Sequence, residues 1–172
     1  MEKGKPQIFI KQSVIKKRIK ELAKQINHDY RDSIPIFIGV LNGSFIFLSD
    51  LIRDINIHCE IDFFKLSSYG DSKISSGEVR MLKDLNCEVK GRDIIIVEDI
   101  IDSGLSMTYI RKIIMKQKPK SFRVATLLFK KDISNLKFKI DYIGFEIENK
   151  FVVGYGLDFA QKYRNLNGIY VL

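Results

Sequence analysis

Apolar residues along the chain recur alternately at helical spacing and in short continuous runs. An amphipathic helix, with Ser13 as its cap, is predicted by the recurrence of Ile15, Ile19, Leu22, Ala23 and Ile26. The same spacing predicts a second helix whose inward residues are Phe45, Leu48, Leu51 and Ile52. A third helix is predicted with Leu105, Tyr109, Ile110, Ile113 and Ile114 on its apolar face.

Strands are predicted at residues 36–40, 61–66, 94–97, 123–128 and 141–145. The run at 94–97 is continuously β-branched, which is typical of a strand buried on both faces of a parallel sheet. Because these strands alternate with helices, we expect one α/β domain over residues 1–172 with a largely parallel sheet. Ligands bind such sheets at the carboxyl ends of the strands.

Composition and charge narrow the possible partners without choosing one. The net charge of +8 favours a nucleic acid, a membrane surface or a phosphorylated small molecule. The longest uncharged stretch, residues 34–49, is shorter than the roughly 20 apolar residues that a bilayer requires. The charged amino terminus has no apolar signal core, so a cytoplasmic location is expected. Cys59 and Cys87 form no CxxC pair and predict no disulfide framework.

The strongest motif is the predicted strand at 94–97 followed by Glu98, Asp99 and a turn of small residues that leads into a helix. Backbone N–H groups between Asp102 and Ser106 can surround a phosphate at the helix amino terminus, where the dipole favours negative charge. Hydroxyls of Ser103 and Ser106 would add to this site. Gly104 removes a side chain that would block close approach.

Glu98 and Asp99 suit ribose hydroxyls, which they can bind directly or through hydrated Mg²⁺. The motif therefore fits a ribose 5-phosphate. In the alternative interpretation Asp102 and Ser103 only cap the helix. Two neighbouring carboxylates after a hydrophobic strand favour the phosphate site over that alternative.

The segment VEDIIDSG, followed by a helix, closely resembles the phosphoribosyl pyrophosphate signature of the type I phosphoribosyltransferases. GVLNGSFIFLSDLIR resembles the pyrophosphate-loop segment of that family, LSSYG its mobile-loop motif and VATLLFKK its base-contact strand. DYIGFEIENKFVVGYGLDFAQKYRNL resembles the carboxyl-terminal segment of the hypoxanthine-guanine enzymes. The resemblance covers most of residues 39–172.

This resemblance implies a five-stranded, mainly parallel sheet flanked by helices, with a small hood built from the amino- and carboxyl-terminal segments. It implies purine salvage, in which the 5-phosphoribosyl group passes from phosphoribosyl pyrophosphate to hypoxanthine and/or guanine. The products would be IMP or GMP and pyrophosphate. It also implies Mg²⁺ as cofactor and a homodimer or homotetramer that binds neither nucleic acid nor membrane.

The resemblance also assigns residues to the site. Those implied to bind phosphoribosyl pyrophosphate or the nucleotide are Leu41, Asn42, Gly43, Ser68, Tyr69, Glu98, Asp99, Asp102, Ser103, Gly104, Leu105, Ser106 and Arg164. Those implied at the purine are Lys130, Phe151, Val152 and Asp158, and those implied at Mg²⁺ are Glu98, Asp99 and Asp158. Asn42 stands where some relatives carry lysine, which leaves Arg164, Mg²⁺ and backbone amides to meet the pyrophosphate.

The implied roles are chemically distinct. Lys130 would donate to the purine O6, Phe151 would stack on the base and the Val152 backbone would read its far edge. Asp102 would accept the proton of the purine N7 as the general base. Ser68 and Tyr69 belong to a polar segment, residues 67–86, that is long for a loop and would close as a lid. The family's peptide bond at the position of Leu41–Asn42 is often cis, and the sequence leaves open whether it is cis here.

Two rival functions remain open at this level. One is a regulator that keeps the fold and binds RNA through its basic surface. The other is a flavodoxin-like phosphate binder, which would need neither Lys130 nor the carboxyl-terminal motif. The sequence also leaves open the preference among hypoxanthine, guanine and xanthine, and the choice between dimer and tetramer.

Overall fold

The computed structural model of the chain describes residues 5–68, 79–83 and 85–172. In chain order, the elements are β1 (Gln7–Ile10), α1 (Gln12–Asp29), β2 (Ile36–Leu41), α2 (Phe45–Arg53), β3 (Glu60–Ser68), β4 (Val79–Lys83), β5 (Asp93–Ile101), α3 (Leu105–Lys116), β6 (Ser121–Phe129), β7 (Tyr142–Glu146), β8 (Val152–Val153) and β9 (Ile169–Val171). No described helix is long and apolar enough to cross a membrane.

The main sheet has the strand order β4-β3-β2-β5-β6-β7. The five strands from β3 to β7 in this order pair in parallel, which confirms the predicted parallel core. β4 adds an antiparallel edge strand beside β3. It lies in the segment that the sequence predicts as a loop, because pairing with β3 and not local periodicity makes it a strand.

A second, antiparallel sheet joins the two ends of the described chain in the order β1-β9-β8. Gln7 pairs with Val171, and Val171 also pairs with Val152. These are the segments for which the resemblance implies a hood.

The main sheet has a hydrophobic core on each face. Ile95 and Val97 pack with α1, α2 and the second sheet, whereas Ile94 and Ile96 pack with α3. All four side chains are fully buried, so the prediction of a strand covered on both faces is confirmed.

The helix faces agree with the sequence pattern except at the helix starts. The buried residues of α1 are the predicted ones, but its N-cap is Lys11, and Ser13 lies inside the helix. In α2 and α3, Phe45 and Leu105 are exposed while Phe47 and Met107 are buried. The inward predictions for Phe45 and Leu105 are wrong, and each of these residues is the first of its helix.

Asp62 on β3 binds the segment that follows β4 in the sequence. Its carboxylate accepts hydrogen bonds from the backbone N–H groups of Phe63, Asn86 and Cys87 at 2.6–2.9 Å. It also forms an ion pair with Lys83 at 3.2 Å. Burial raises the pKa of Asp62, but these donors outweigh it and lower the pKa to about 2. The network therefore stabilises the charged form in the folded state.

We expect Asp62→Asn to lower the free energy of unfolding at pH 7 by about 2 kcal/mol, which is the free-energy equivalent of the pKa shift. Because the folded pKa lies below the unfolded value of 3.8, this stabilisation is complete above pH 3.8 and is lost as pH falls towards 2. Urea unfolding of both proteins across this range measures it. Asp32→Asn, at a fully accessible aspartate, is the control, and an equal loss there would contradict the prediction.

Candidate active site

The carboxyl ends of β2, β5 and β6 lie along one edge of the main sheet, where the loops after these strands meet. β5 pairs with β6 as far as Ile101, so Glu98 and Asp99 lie inside the strand and not after it. The expectation that they follow the strand is therefore wrong.

Asp99 faces the turn that follows β2. A Cβ built on Gly43 would lie 1.7 Å from Asp99 Oδ2, so any side chain at this position would displace the carboxylate. The Leu41–Asn42 peptide bond is cis, and the Asn42 side chain is exposed. The turn and the Asp99 carboxylate are thus in direct contact.

The environment shifts both carboxylates towards their protonated forms. Burial raises the pKa of Asp99 to about 6, while the Ile100 N–H and the Arg164 charge lower it and the Asp158 charge raises it. Burial and the Asp99 charge raise the pKa of Glu98 well above its usual range. Glu98 Oε2 is shielded from solvent and has no hydrogen-bond partner among the described residues. A nearby cation would relieve both unfavourable charges.

This oxygen-only pair suits a hard divalent cation. Mg²⁺ is usually held by one or two carboxylates together with substrate phosphates and water. Among the described residues, no group of three His, Cys, Asp or Glu side chains forms a complete metal site. Glu98 and Asp99 thus fit the carboxylate part of such a coordination sphere.

The turn after β5 contains the residues that the sequence predicts at the phosphate. A small concavity of about 90 Å³ is lined by Glu98 and by residues of the segment 100–107. α3 starts at Leu105 with Gly104 as its N-cap, and Ser103 Oγ accepts a 3.4 Å bond from the Leu105 N–H. The amino end of the helix dipole thus faces this concavity, and Asp102 does not occupy the cap position.

Gly104 has a conformational reason to be glycine in addition to the one expected from the sequence. Its φ of +84° lies in the left-handed region, and a Cβ there would lie 2.8 Å from the Leu136 side chain. The expected reason was close approach to phosphate. Glycine is needed because the backbone turns left-handed against the loop after β6.

Lys130 lies buried between the phosphate turn and the loop after β7. Its Nζ donates to Asp102 Oδ2 at 3.0 Å and to Asn149 Oδ1 at 3.3 Å. Only 8% of the Lys130 side chain is exposed, compared with 52% for Asp102. A buried ammonium needs such partners. The structure therefore brings together two residues that the resemblance places at the purine.

Phe151 and Val152 differ in exposure. The Phe151 ring is 51% exposed and packs edge-on against Phe159, with centroids 5.7 Å apart and planes at 89°. Val152 is buried in β8, and its side chain belongs to the core. An exposed aromatic face next to an ordered strand suits stacking of a planar base.

Arg164 and Asp158 form an ion pair at 2.7 Å in the loop after β8. Arg164 Nη1 also donates to the Gly156 carbonyl at 2.7 Å, and Nη2 donates to Gln161 Oε1 at 3.2 Å. Both charges influence the pKa of Asp99, so this loop lies close to the acidic pair. The two residues predicted to meet metal and pyrophosphate thus lie beside Asp99.

Two predicted site residues, Ser68 and Tyr69, fall in the segment that the sequence predicts as a lid. Tyr69 and most of the segment 67–86 lie outside the described residues. Ser68 is the last residue of β3, and its backbone pairs with Val79.

Asn149, Phe159 and Gln161 contact predicted site residues, although the sequence did not single them out. The carboxyl-terminal motif contains all three. It could have marked the segment, but not which of its side chains meets Lys130, Phe151 or Arg164.

Together, the parallel sheet, the phosphate turn and the acidic pair define a class of proteins that bind a phosphorylated sugar at the edge of an α/β sheet. The model of the phosphoribosyl transferase domain matches residues 9–160, so the chain belongs to the phosphoribosyltransferase family.

Similar proteins show which members of the phosphoribosyltransferase family the chain resembles in sequence and fold. The chain is 47% identical to the hypoxanthine-guanine phosphoribosyltransferase of Bacillus subtilis, over 96% of this chain and 92% of that protein. It is 43% identical to the hypoxanthine phosphoribosyltransferase of Escherichia coli, over 93% and 91%. A solved hypoxanthine-guanine phosphoribosyltransferase from Bacillus anthracis superposes with a TM-score of 0.91 at 40% identity, over 96% of this chain and 98% of that one. Within the family, the chain belongs with the hypoxanthine-guanine enzymes.

Proposed function

We propose that this chain is an enzyme of purine salvage that transfers the 5-phosphoribosyl group from phosphoribosyl pyrophosphate to hypoxanthine and/or guanine. The observation that carries the proposal is the pair formed by the buried Lys130 ammonium and the Asp102 carboxylate, 3.0 Å apart. A donor and an acceptor held side by side match the neighbouring O6 and protonated N7 of a 6-oxopurine.

Purine selectivity follows from the chemistry of Lys130. A lysine ammonium only donates hydrogen bonds, so it suits the O6 acceptor of hypoxanthine or guanine and opposes the amino group of adenine. Asn149 holds Nζ from the other side. Phe151 would stack on the base, and the Val152 backbone would meet its far edge.

The sugar and its phosphates would bind to the remaining groups of the site. The amino terminus of α3 and the hydroxyls of Ser103 and Ser106 would bind the 5-phosphate. The turn at Asn42 and Gly43 and the Arg164 guanidinium would bind pyrophosphate. Arg164 would exchange its contact with Asp158 for the stronger charge of the leaving group.

We propose Mg²⁺ as the cofactor. Glu98 and Asp99 supply carboxylate oxygens whose charged forms are disfavoured by burial, and the Asp158 charge acts on Asp99 as well. When bound, Mg²⁺ would neutralise charge that develops on the departing pyrophosphate.

The reaction displaces pyrophosphate from the ribose C1 by a purine ring nitrogen. As the C–O bond to pyrophosphate breaks, Arg164 and the backbone amides of the Gly43 turn stabilise the departing oxygens. Asp102 accepts the purine N7 proton, so the base gains no positive charge during attack. The lid containing Ser68 and Tyr69 would exclude water that could otherwise hydrolyse the activated sugar.

A spectrophotometric assay with phosphoribosyl pyrophosphate, Mg²⁺ and one purine at a time tests the proposal. We expect turnover of hypoxanthine, of guanine or of both to exceed turnover of adenine by at least about tenfold, since one mismatched polar contact costs that much. Activity should fall in excess chelator and return with added Mg²⁺.

Comparable turnover of adenine would contradict the role of Lys130. Absence of nucleotide formation from all four bases, including xanthine, would contradict the proposed function itself. The cytoplasmic location and the homodimeric or homotetrameric state stay predictions, and size-exclusion chromatography with light scattering decides the latter.

A further inference from the structure

Tyr155 is a buried tyrosine in the loop after β8 and plays no part in the mechanism above. Its ring is 2% exposed, and its hydroxyl donates to Asp50 Oδ2 on α2. Burial and the Asp50 carboxylate both raise the pKa of Tyr155, so the hydroxyl remains a donor at physiological pH. The bond connects two segments that are 105 residues apart in the sequence.

The backbone of this loop is held in an unusual conformation. Gly154, Tyr155 and Gly156 have φ values of 95°, 53° and 101°, all in the left-handed region. A non-glycine residue there costs roughly 1–2 kcal/mol, so the contacts of Tyr155 must compensate. Its N–H donates to the Leu166 carbonyl at 2.8 Å, and the Gly156 N–H donates to the Arg164 carbonyl at 3.0 Å.

The same loop touches the pyrophosphate turn. A Cβ on Gly156 would lie 2.1 Å from the Gly43 carbonyl oxygen, so the two backbones are in direct contact. The Gly156 carbonyl in turn accepts from Arg164. α2, which carries Asp50, begins at Phe45, two residues after Gly43. Tyr155 thus connects the loop of Arg164 with the helix that follows the Gly43 turn.

We propose that Tyr155, through Asp50, is a positioning residue that fixes Arg164 relative to the Gly43 turn and thereby sets the affinity for the pyrophosphate group. This inference rests on the proposed function. It assigns Tyr155 to the pyrophosphate side of the site and not to the purine side, because Lys130 and Asn149 are held by the loops after β6 and β7.

Steady-state kinetics of Tyr155→Phe in both reaction directions test the proposal. Loss of one hydrogen bond to a carboxylate should raise KM for phosphoribosyl pyrophosphate and for pyrophosphate by about tenfold. KM for hypoxanthine should change by less than about twofold. A structural defect alone would move all three constants together or none of them.

Tyr142→Phe is the matched control. Tyr142 is also buried, and its hydroxyl donates to the carboxylate of Asp29. It is the first residue of β7, an edge strand of the main sheet. The Tyr142→Phe variant should have a lower thermal midpoint, but the ratio of KM for phosphoribosyl pyrophosphate to KM for hypoxanthine should not change. If both variants shift the constants equally, or if Tyr155→Phe shifts none, the proposal is overturned while the wild-type activity still supports the proposed function.

Asp50→Asn keeps the test decisive if Tyr155→Phe does not fold. The amide oxygen still accepts from Tyr155, but a neutral acceptor binds more weakly than a carboxylate. We expect a rise of about threefold in KM for phosphoribosyl pyrophosphate, and an unchanged KM overturns the inference. Absence of activity in the wild-type protein would instead contradict the proposed function.

Discussion

Asp102→Asn should lower kcat by a factor of about 10²–10⁴, the usual contribution of general acid–base catalysis. The substitution preserves the shape of the side chain and an oxygen that can accept from Lys130, but it removes the basic oxygen that would take the N7 proton. The N-cap of α3 is Gly104, so the helix does not lose its cap.

Single-turnover kinetics with hypoxanthine, together with the affinity for phosphoribosyl pyrophosphate and the thermal midpoint, measure this prediction. Affinity and midpoint should change little. Asp132→Asn removes the same charge from an exposed residue near Lys130 and should leave kcat unchanged. Near-normal kcat in Asp102→Asn would leave catalysis to stabilisation of the leaving group alone.

Gly43→Ala should lower kcat/KM for phosphoribosyl pyrophosphate about 100-fold, since a displacement of about 1 Å at a reacting site has effects of that size. The new methyl group would lie 1.7 Å from Asp99 Oδ2 and must push this carboxylate aside. Because a carboxylate can rotate away at little cost, we expect the free energy of unfolding to remain close to that of the wild-type protein.

Gly91→Ala serves as the converse control for Gly43→Ala. Gly91 has open space around its Cα but a φ of +70°, so alanine there should lower stability by about 1–2 kcal/mol and leave kcat/KM unchanged. Thermal melts of both variants measure the effect of backbone strain on stability. The forward assay of both variants measures the effect of displacing Asp99 on kcat/KM. Wild-type activity in Gly43→Ala would show that Asp99 adopts another rotamer during catalysis.

Local patterns predicted most of the fold because the forces behind them are local. The buried residues of α1 follow from helical spacing alone, and the run Ile94 to Val97 requires a strand covered on both faces. The turn between β5 and α3 could also be predicted, since small residues before a helix expose its amino terminus. β4 could not, because its strand conformation depends on pairing with β3.

By itself the sequence determined the parallel core, the acidic pair, the phosphate turn and the resemblance that implies a role for Lys130. Only the tertiary structure decided that Asp99 faces Gly43, that Asn149 meets Lys130 and that Tyr155 reaches Asp50. The physical reason is that these contacts join loops from different strands. Their distances depend on how the strands order and pair across the sheet, and no local period in the chain encodes that order.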